Sequence, residues 1–443
     1  MLCLVLLACC GWNAAAQTVV PESVGQLDLT LDRAVEIALA ENPTIRVAEK
    51  DVELKRLADR MAWQALLPTL DATLTFSHAI KVAEMKIGGQ KVKFGQDGSS
   101  TATGVLALNV PVFAPAVYQN MKLTKEDILL AQEKARGSKL DLVNQVTKAY
   151  YGALLSRDSY EVMKRSYDVA KQNYDVVETM FKVGNVSEYD KLSAEVQMRS
   201  TQSAMVSAET GKNLSLLKLK VLMGVTANVD IHIDDSLKAY EEKLVVPEAG
   251  AAGGADLAGN STLRQLDQRM SLLQRTRKVL RTNFMPTVGL SLSGQYQSVS
   301  NPDWNIFGYQ YSPSATLALS VSIPIFHIDN WTKLKSNKVQ LAQLEDTRLN
   351  TFRELSMAAE SYRQNMASCM AQVSSNSEAV RQAEKAVMIS SKRYEVGRGT
   401  ILELNQSETA ETRAKLTYVQ SIYEYLTNKA DLDYTLGREH SRP

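Results

Sequence analysis

Residues 115–224 read PAVYQNMKLTKEDILLAQEKARGSKLDLVNQVTKAYYGALLSRDSYEVMKRSYDVAKQNYDVVETMFKVGNVSEYDKLSAEVQMRSTQSAMVSAETGKNLSLLKLKVLMG, and no proline follows Pro115 until Pro247. Proline is the residue that most reliably breaks a helix. The blocks on either side of Val183-Gly184-Asn185 are therefore free to run as helices. As one helix, Pro115 to Lys182 would extend ~100 Å at about 1.5 Å per residue. That is several times an ordinary globular helix, so a compact domain is a poor home for it. Val186 to Met223 folds back, and the stretch reads as a long helical hairpin with a tight tip.

Upstream of the hairpin, helical spacing begins at Thr30, a candidate N-cap. It runs through Ala34, Ile37, Ala38, Val47, Leu54, Leu57 and Met61, is interrupted at Asn42-Pro43, and ends before Pro68. The period then becomes two. Leu70, Ala72, Leu74 and Phe76 alternate with polar residues, and Leu106, Leu108 and Val110 alternate before Pro111. These read as two strands of the length a tilted membrane strand needs, joined by a polar loop.

Past Gly224 come a short strand-like piece, Val229 to Ile233, and a Gly/Ala-rich connector, Pro247 to Asn260. The pattern then repeats. Asn42 and Asn260, like Pro68 and Pro286, stand 218 residues apart. Pro111 and Pro324, Gly184 and Gly397, and the endings at Gly224 and Gly437 stand 213 apart. Such matched landmarks indicate duplication. In the second copy, Val288, Leu290 and Leu292 and then Leu317, Leu319 and Val321 alternate with small polar residues. One face suits lipid and the other water, although a soluble sandwich gives the same alternation. The loop between these strands carries Trp304, Phe307, Tyr309 and Tyr311, an aromatic set suited to a membrane interface.

Met1 to Ala16 reads as a secretory signal, with an apolar core and Ala14-Ala15-Ala16 at a cleavage site. No Lys or Arg precedes Arg33, so either the start lies upstream or the signal lacks a basic front. The alternative takes Cys9 as a lipoprotein processing site. Only Cys369 lies outside this segment, which leaves no intrachain disulfide and no cysteine metal cluster. It reads as a buried small apolar residue.

With 50 basic and 49 acidic residues the chain lacks the basic face nucleic acid requires. The four histidines are scattered without metal-ligand spacing. No P-loop, Gly-x-Ser-x-Gly or Cys/His constellation occurs, so nothing calls for a cofactor, a metal or catalysis. His232-Ile233-Asp234-Asp235 is the nearest thing to a site and reads better as a surface strand.

Four strands cannot close a barrel, and an open edge is not tolerated in lipid, so membrane strands here demand oligomerisation. At this point the residues meet a family. Glu41-Asn42-Pro43, Leu66-Leu67-Pro68-Thr69-Leu70, Val110-Pro111-Val112-Phe113 with its echo Ile323-Pro324-Ile325-Phe326, and Ala149-Tyr150-Tyr151-Gly152-Ala153-Leu154-Leu155 resemble the TolC-like outer membrane efflux proteins. So do Phe181-Lys182-Val183-Gly184 and Tyr394-Glu395-Val396-Gly397, and the likeness covers about Leu29 to Gly437.

The resemblance implies an α+β membrane protein with two internal repeats. Its long α-helical hairpins would form a periplasmic tunnel below a β-barrel completed by trimerisation. The homotrimer would sit in outer membrane lipid of a Gram-negative bacterium and dock to a periplasmic adaptor and an inner-membrane transporter. It would export small molecules or proteins as a passive duct. The expected organisation is a signal at 1–16 and a first repeat at 17–224, with strands 70–83 and 103–113 and hairpin 115–224. An equatorial segment and linker follow at 225–260, then a second repeat at 261–443, with strands 287–298 and 313–326 and hairpin 327–437. The competing reading is a soluble periplasmic helical scaffold or binding protein with an internal sandwich.

The turn glycines have a backbone reason, since a tight reversal favours positive φ. The resemblance adds adaptor docking at Val183, Gly184, Asn185 and Ser187 and at Val396, Gly397, Arg398 and Thr400. Six residues past each glycine stand Asp190 and Glu403. Positions here line the family's narrow end, and three copies of Glu403 around an axis would attract cations. A second acidic position of the family is Gln406 here. Tyr394 matches a tyrosine that bonds the acid of the other hairpin, which gives an expected Tyr394–Asp190 lock. The family's arginine in that lock falls at Gly399, with Arg398 one place off. For each of these the plain alternative is a solvated residue on a helix face.

Overall fold

The computed structural model describes residues 27–438 apart from 89, 94–95, 227–228, 245–255 and 302–303. The signal at 1–16, its Cys9 alternative and much of the Gly/Ala-rich connector lie outside the described residues.

The chain opens with β1 (Leu27–Asp28), α1 (Leu31–Glu41) and α2 (Pro43–Gln64). Thr30 caps α1, its hydroxyl oxygen accepting the Arg33 N–H at 3.4 Å. Asn42 ends α1 and caps α2 by accepting the Thr44 N–H at 2.8 Å, and Pro43 occupies the first turn, where its missing donor costs nothing. The first long hairpin is α3 (Pro115–Lys182, 68 residues) with α4 (Glu188–Met223, 36 residues). The second repeat opens with α5 (Ser261–Thr282), capped by Asn260. Its hairpin is α6 (Ile328–Glu395) with α7 (Ile401–Leu436), again 68 and 36 residues. Duplication thus holds to the residue in helix length.

In its first half α3 packs against α2 and α5, through Lys55–Asp127 at 2.9 Å and Arg275–Glu126 at 3.1 Å. In its second half it packs against α4 and α7. The main core sits where these halves meet. Val146, Tyr150 and Leu154 of α3 are buried there with Ala34 and Ala38 of α1, Leu219 and Met223 of α4, and Ile422 and Tyr425 of α7. Cys369 lies buried in the same core, and burial pushes its thiol pKa up.

The strands β2 (Thr69–Ala79), β5 (Ser99–Phe113), β7 (Thr287–Asn301) and β8 (Ser312–Ser322) form one antiparallel sheet in the order β2-β5-β7-β8. The β5–β7 pairing joins the repeats. Their ends differ from the expected spans. The first strand stops at Ala79 rather than 83, and the second begins at Ser99 rather than 103. The third runs on to Asn301, and the fourth covers Ser312–Ser322 rather than 313–326. The last stops short of Pro324, whose missing N–H cannot extend a ladder. The expected polar loop also holds a small hairpin, β3 (Glu84–Ile87) with β4 (Gln90–Lys93), whose turn begins at Gly88 with φ +61°. The strand-like piece past Gly224 is reduced to β6 (Ile231–His232), which pairs in parallel with β1.

Register decides what the sheet presents. Leu70 faces Leu108, Leu108 faces Leu292, and Leu292 faces Leu317. One row on, Val110 faces Leu290 and Leu290 faces Leu319. Directly opposed residues share a face, so the apolar positions of all four strands gather on one side. The other side carries Asp71, Thr73, Thr75, Asn109, Ser291, Ser293 and Thr316. Leu70, Leu74, Leu106, Leu292, Leu317 and Leu319 are all exposed, so a single chain leaves this apolar face uncovered. From the β7–β8 loop, Trp304 stacks on His78 of β2 with ring centres 4.5 Å apart and lies 5.5 Å from Phe76. Among the described residues no helix is long and apolar enough to cross a membrane.

Leu290→Arg is expected to cost the assembled sheet about 2–4 kcal/mol if this face meets lipid. Ser291→Arg, on the opposite face, is expected to be far milder. Denaturant titration of the detergent-solubilised protein measures both, and equal losses would mean the two faces do not differ in this way.

Candidate functional site at the hairpin tips

Each tip is built by the same backbone device. At the first, Gly184 takes φ +76°, its N–H meets the Phe181 carbonyl at 2.9 Å, and the Asn185 N–H meets the Met180 carbonyl at 2.9 Å. At the second, Gly397 takes φ +70°, with its N–H on Tyr394 and the Arg398 N–H on Arg393 at 2.8 Å. This left-handed close satisfies the last carbonyls of the incoming helix, and glycine adopts it without steric cost. Val183, Gly184, Asn185, Ser187, Val396, Gly397, Arg398 and Thr400 are all exposed.

The return helices start differently. Ser187 and Asp190 form a complete capping box. The Ser187 hydroxyl oxygen accepts the Asp190 N–H at 3.2 Å, and Asp190 Oδ2 accepts from the Ser187 N–H at 3.2 Å and its hydroxyl at 2.8 Å. Thr400 likewise accepts the Glu403 N–H at 3.2 Å. The Glu403 carboxylate, however, lies 3.6 Å from the Arg393 guanidinium, in the last turn of α6. Glu403 and Gln406 both stand on the exposed face of α7.

Behind the tips, Val177, Ala194, Ile401 and Leu404 form a buried cluster, with Tyr174, Val186 and Tyr394 packed against it. It draws on both hairpins and holds them together. The Tyr394 hydroxyl is buried there without a hydrogen-bond partner. Burial, and then the nearby Asp190 charge, push its pKa up. The expected Tyr394–Asp190 hydrogen bond is not made in this arrangement, in which Asp190 is engaged by Ser187. A residue three positions away supplies that bond without any tertiary closure, so the local contact takes the carboxylate.

One turn further from the tip lies Glu408, buried on α7, which accepts a 2.6 Å hydrogen bond from the Asn173 side chain of α3. Burial raises its carboxyl pKa, the Glu411 charge adds to the effect, and the Asn173 bond opposes it. Sequence reading missed Glu408, Asn173 and Arg393. For Glu408 a signal existed, because Ile401, Leu404 and Glu408 occupy i, i+3 and i+7 of one seam. Arg393 gave none, because its partner lies across the turn.

At the equator, the His232–Asp235 stretch turns out to anchor the structure. The Tyr150 and Tyr240 hydroxyls donate to Asp235 at 2.9 and 3.1 Å, and Asp158 accepts the Leu237 N–H at 2.9 Å. Burial raises the Tyr150 and Tyr240 pKa values, and that of neighbouring Tyr151 is pushed up to about 12. His232 pairs with Asp234 at 2.8 Å on the surface. Among the described residues no group of His, Cys, Asp and Glu is placed to hold a metal ion.

A family model described as outer membrane efflux protein matches residues 34–225 and 255–438. The chain is 24% identical over 412 residues to the alkaline protease secretion protein AprF of Pseudomonas aeruginosa, spanning 90% of this chain and 83% of that one. Among solved structures it resembles the CmeC outer membrane channel of Campylobacter jejuni, with a TM-score of 0.73 at 17% identity over 92% of this chain and 85% of that one. It also resembles the open state of the Neisseria gonorrhoeae MtrE outer membrane channel, with a TM-score of 0.69 at 17% identity over 92% and 88% of the two chains. At such identities the structural likeness concerns the fold.

Because its pKa is raised in the folded chain, folding works against ionisation of Glu408. The stability it supplies is full at acidic pH and falls as pH rises through the folded value. Glu408→Gln keeps an acceptor for Asn173 and removes the buried charge. The variant is expected to melt higher than the parent at neutral pH, with the gap closing on acidification. Thermal melts followed by helical circular dichroism check it, and a gap that does not vary with pH would contradict the assignment.

Proposed function

The chain belongs to the outer membrane efflux protein family, and from that footing we propose that it serves as the passive outer membrane duct of a tripartite export system. The observation that carries this reading is the sheet. It has four strands, one apolar face and free edges at β2 and β8. In lipid every backbone donor and acceptor must be paired, which an open sheet cannot achieve. Three copies edge to edge would give a twelve-stranded closed barrel. The long helices, poor in bulky apolar residues, would then form the wall of a water-filled tunnel across the periplasm.

The exposed tip residues Val183, Gly184, Asn185, Ser187, Val396, Gly397, Arg398 and Thr400 are the adaptor-docking surface. Energy comes from an inner-membrane transporter, and the duct itself catalyses nothing. AprF is named for secretion of a protease, and that likeness favours a polypeptide cargo over a small molecule. A soluble periplasmic scaffold would have to hide the apolar sheet face within one chain, and this chain leaves it bare.

The duct should resist extraction by salt and carbonate, run as a trimer in mild detergent and conduct ions in planar bilayers. Recovery as a soluble monomer would end this reading.

The narrow end closes, in this reading, when Tyr394 donates its hydroxyl to Asp190 in place of Ser187. The orphaned Tyr394 hydroxyl supports this, because a buried donor without a partner costs ~1–3 kcal/mol and a second position that satisfies it is favoured. A bond to a carboxylate is worth roughly 1.5–3 kcal/mol. Three such bonds approach the ~5.5 kcal/mol that carries a 1:99 population to 99:1. Tyr394→Phe removes no bond made in the present arrangement and relieves the unpaired hydroxyl, so it is expected to hold or raise the melting temperature while raising single-channel conductance. Tyr394→Phe with Asp190→Ala should conduct at least as well, with some loss of stability from the missing cap. A Tyr394→Phe channel that conducts like the parent would remove the lock.

A further inference from the structure

The two tips share a backbone and differ in how they use their acids. At the 213-residue offset Asp190 corresponds to Glu403, Ser187 to Thr400 and Met180 to Arg393. In the first tip the acid turns to its own helix start and completes a capping box. In the second, Thr400 still caps, yet the acid's side chain leaves the helix start and lies 3.6 Å from Arg393. The same guanidinium donates to the Arg398 carbonyl at 3.3 Å, so it straps the last turn of α6, the turn and the first turn of α7. Where the first tip has the uncharged Met180, the second has placed a cation against its acid.

We infer that Arg393 is a specificity-determining residue of the duct: it offsets the charge that Glu403 presents at the narrow end. This deepens the duct reading and rests on it, because it takes Glu403 to line the constriction. Arg393 need not form a strong ion pair to act in this way. An exposed pair contributes little to stability, but a cation 3.6 Å from a carboxylate offsets a substantial part of its potential at the several ångströms from which a passing ion samples it. Lys392 and Arg398 lie in the same tip and add positive charge, with Glu395 against them. Gln406 supplies none, so the second tip has no unopposed acidic ring. Such an end does not repel acidic cargo, whereas a ring of bare carboxylates would.

The test is the reversal potential of the full-length trimer in a planar bilayer under a KCl gradient at low salt, where the Debye length is ~10 Å at 0.1 M. Arg393→Gln is expected to raise the potassium-to-chloride permeability ratio by about twofold or more. Glu403→Gln is expected to lower it, because Arg393 is left bare. The double variant should return to the parent ratio, and Arg393→Lys should keep it. Arg393→Met, which installs the residue found at the corresponding position of the first tip, should behave as Arg393→Gln and guards against a defect peculiar to glutamine. If Glu403→Gln shifts the ratio and neither Arg393→Gln nor Arg393→Met does, Glu403 lines the pore without compensation and the inference fails while the duct reading stands. If no variant shifts the ratio, Glu403 does not line the constriction, and that part of the duct reading falls with it.

Discussion

One side-chain amide in each repeat fixes where the long helices may end. Asn42 caps α2 with its oxygen and donates its amide to the Leu222 carbonyl at 2.7 Å, in the last turn of α4. Asn260 does the same for α5 and Thr435 of α7, again at 2.7 Å. The approach is close enough that a Cβ on Gly224 would lie 2.8 Å from the Glu41 carbonyl, and one on Gly437 would lie 2.0 Å from that of Gly259. Both glycines are also left-handed, with φ of +73° and +67°. No other residue meets both demands. The consequence is geometric. With 36 residues, α4 spans about 54 Å and covers only half of α3. At that level the chain ends α4 and α2 begins, so two short helices stacked end to end flank one long one. The asparagine amide is the pin between them.

The rest of the architecture follows from that pin. The second corner meets α3 at Glu133 and Arg136, short of its midpoint. The main core forms just beyond it, around residues 146–154, and the sheet and the tips project from this level in opposite directions. Large buried side chains and the Tyr150–Asp235–Tyr240 anchor belong to this level. The tips have only a small apolar cluster and exposed polar contacts behind them. Regions with few buried contacts open at low free energy, which suits the end of the molecule expected to move. A buried Glu408 next to that cluster adds a polar contact between the hairpins.

Much of this was readable without coordinates. The absence of proline after Pro115 and after Pro324, the turn glycines and the matched offsets located all four long helices, because those signals are local and act through the backbone. Alternation located the strands but not their ends, which depend on how far a neighbour continues to offer partners; Ser99 to Ala102 are paired because β2 and β7 reach that far. The candidate site was legible as positions rather than as contacts. Gly184, Gly397, Asp190, Glu403 and Tyr394 all gather at the tips. The partner of each acid depends on competition, with Ser187 for Asp190 and with Arg393 for Glu403, and sequence spacing does not rank competitors on opposite sides of a turn.

At the tips the repeats have diverged where divergence costs little. Corner residues are constrained by contacts under 3 Å and by positive φ, and strand registers by a face that a one-residue slip would invert. The tips face neither limit. Beyond the turn glycines and the small cluster behind them, a change such as Met180 in one repeat against Arg393 in the other leaves helix lengths and turn geometry identical. Gly399 is the exception, since a Cβ there would come within 3.1 Å of the Tyr394 nitrogen. A basic residue at this tip is better accommodated ahead of it in the chain, and Arg393 and Arg398 both precede Gly399. Charge at the tips is therefore adjustable through positions that the helix lengths and turn geometry do not depend on.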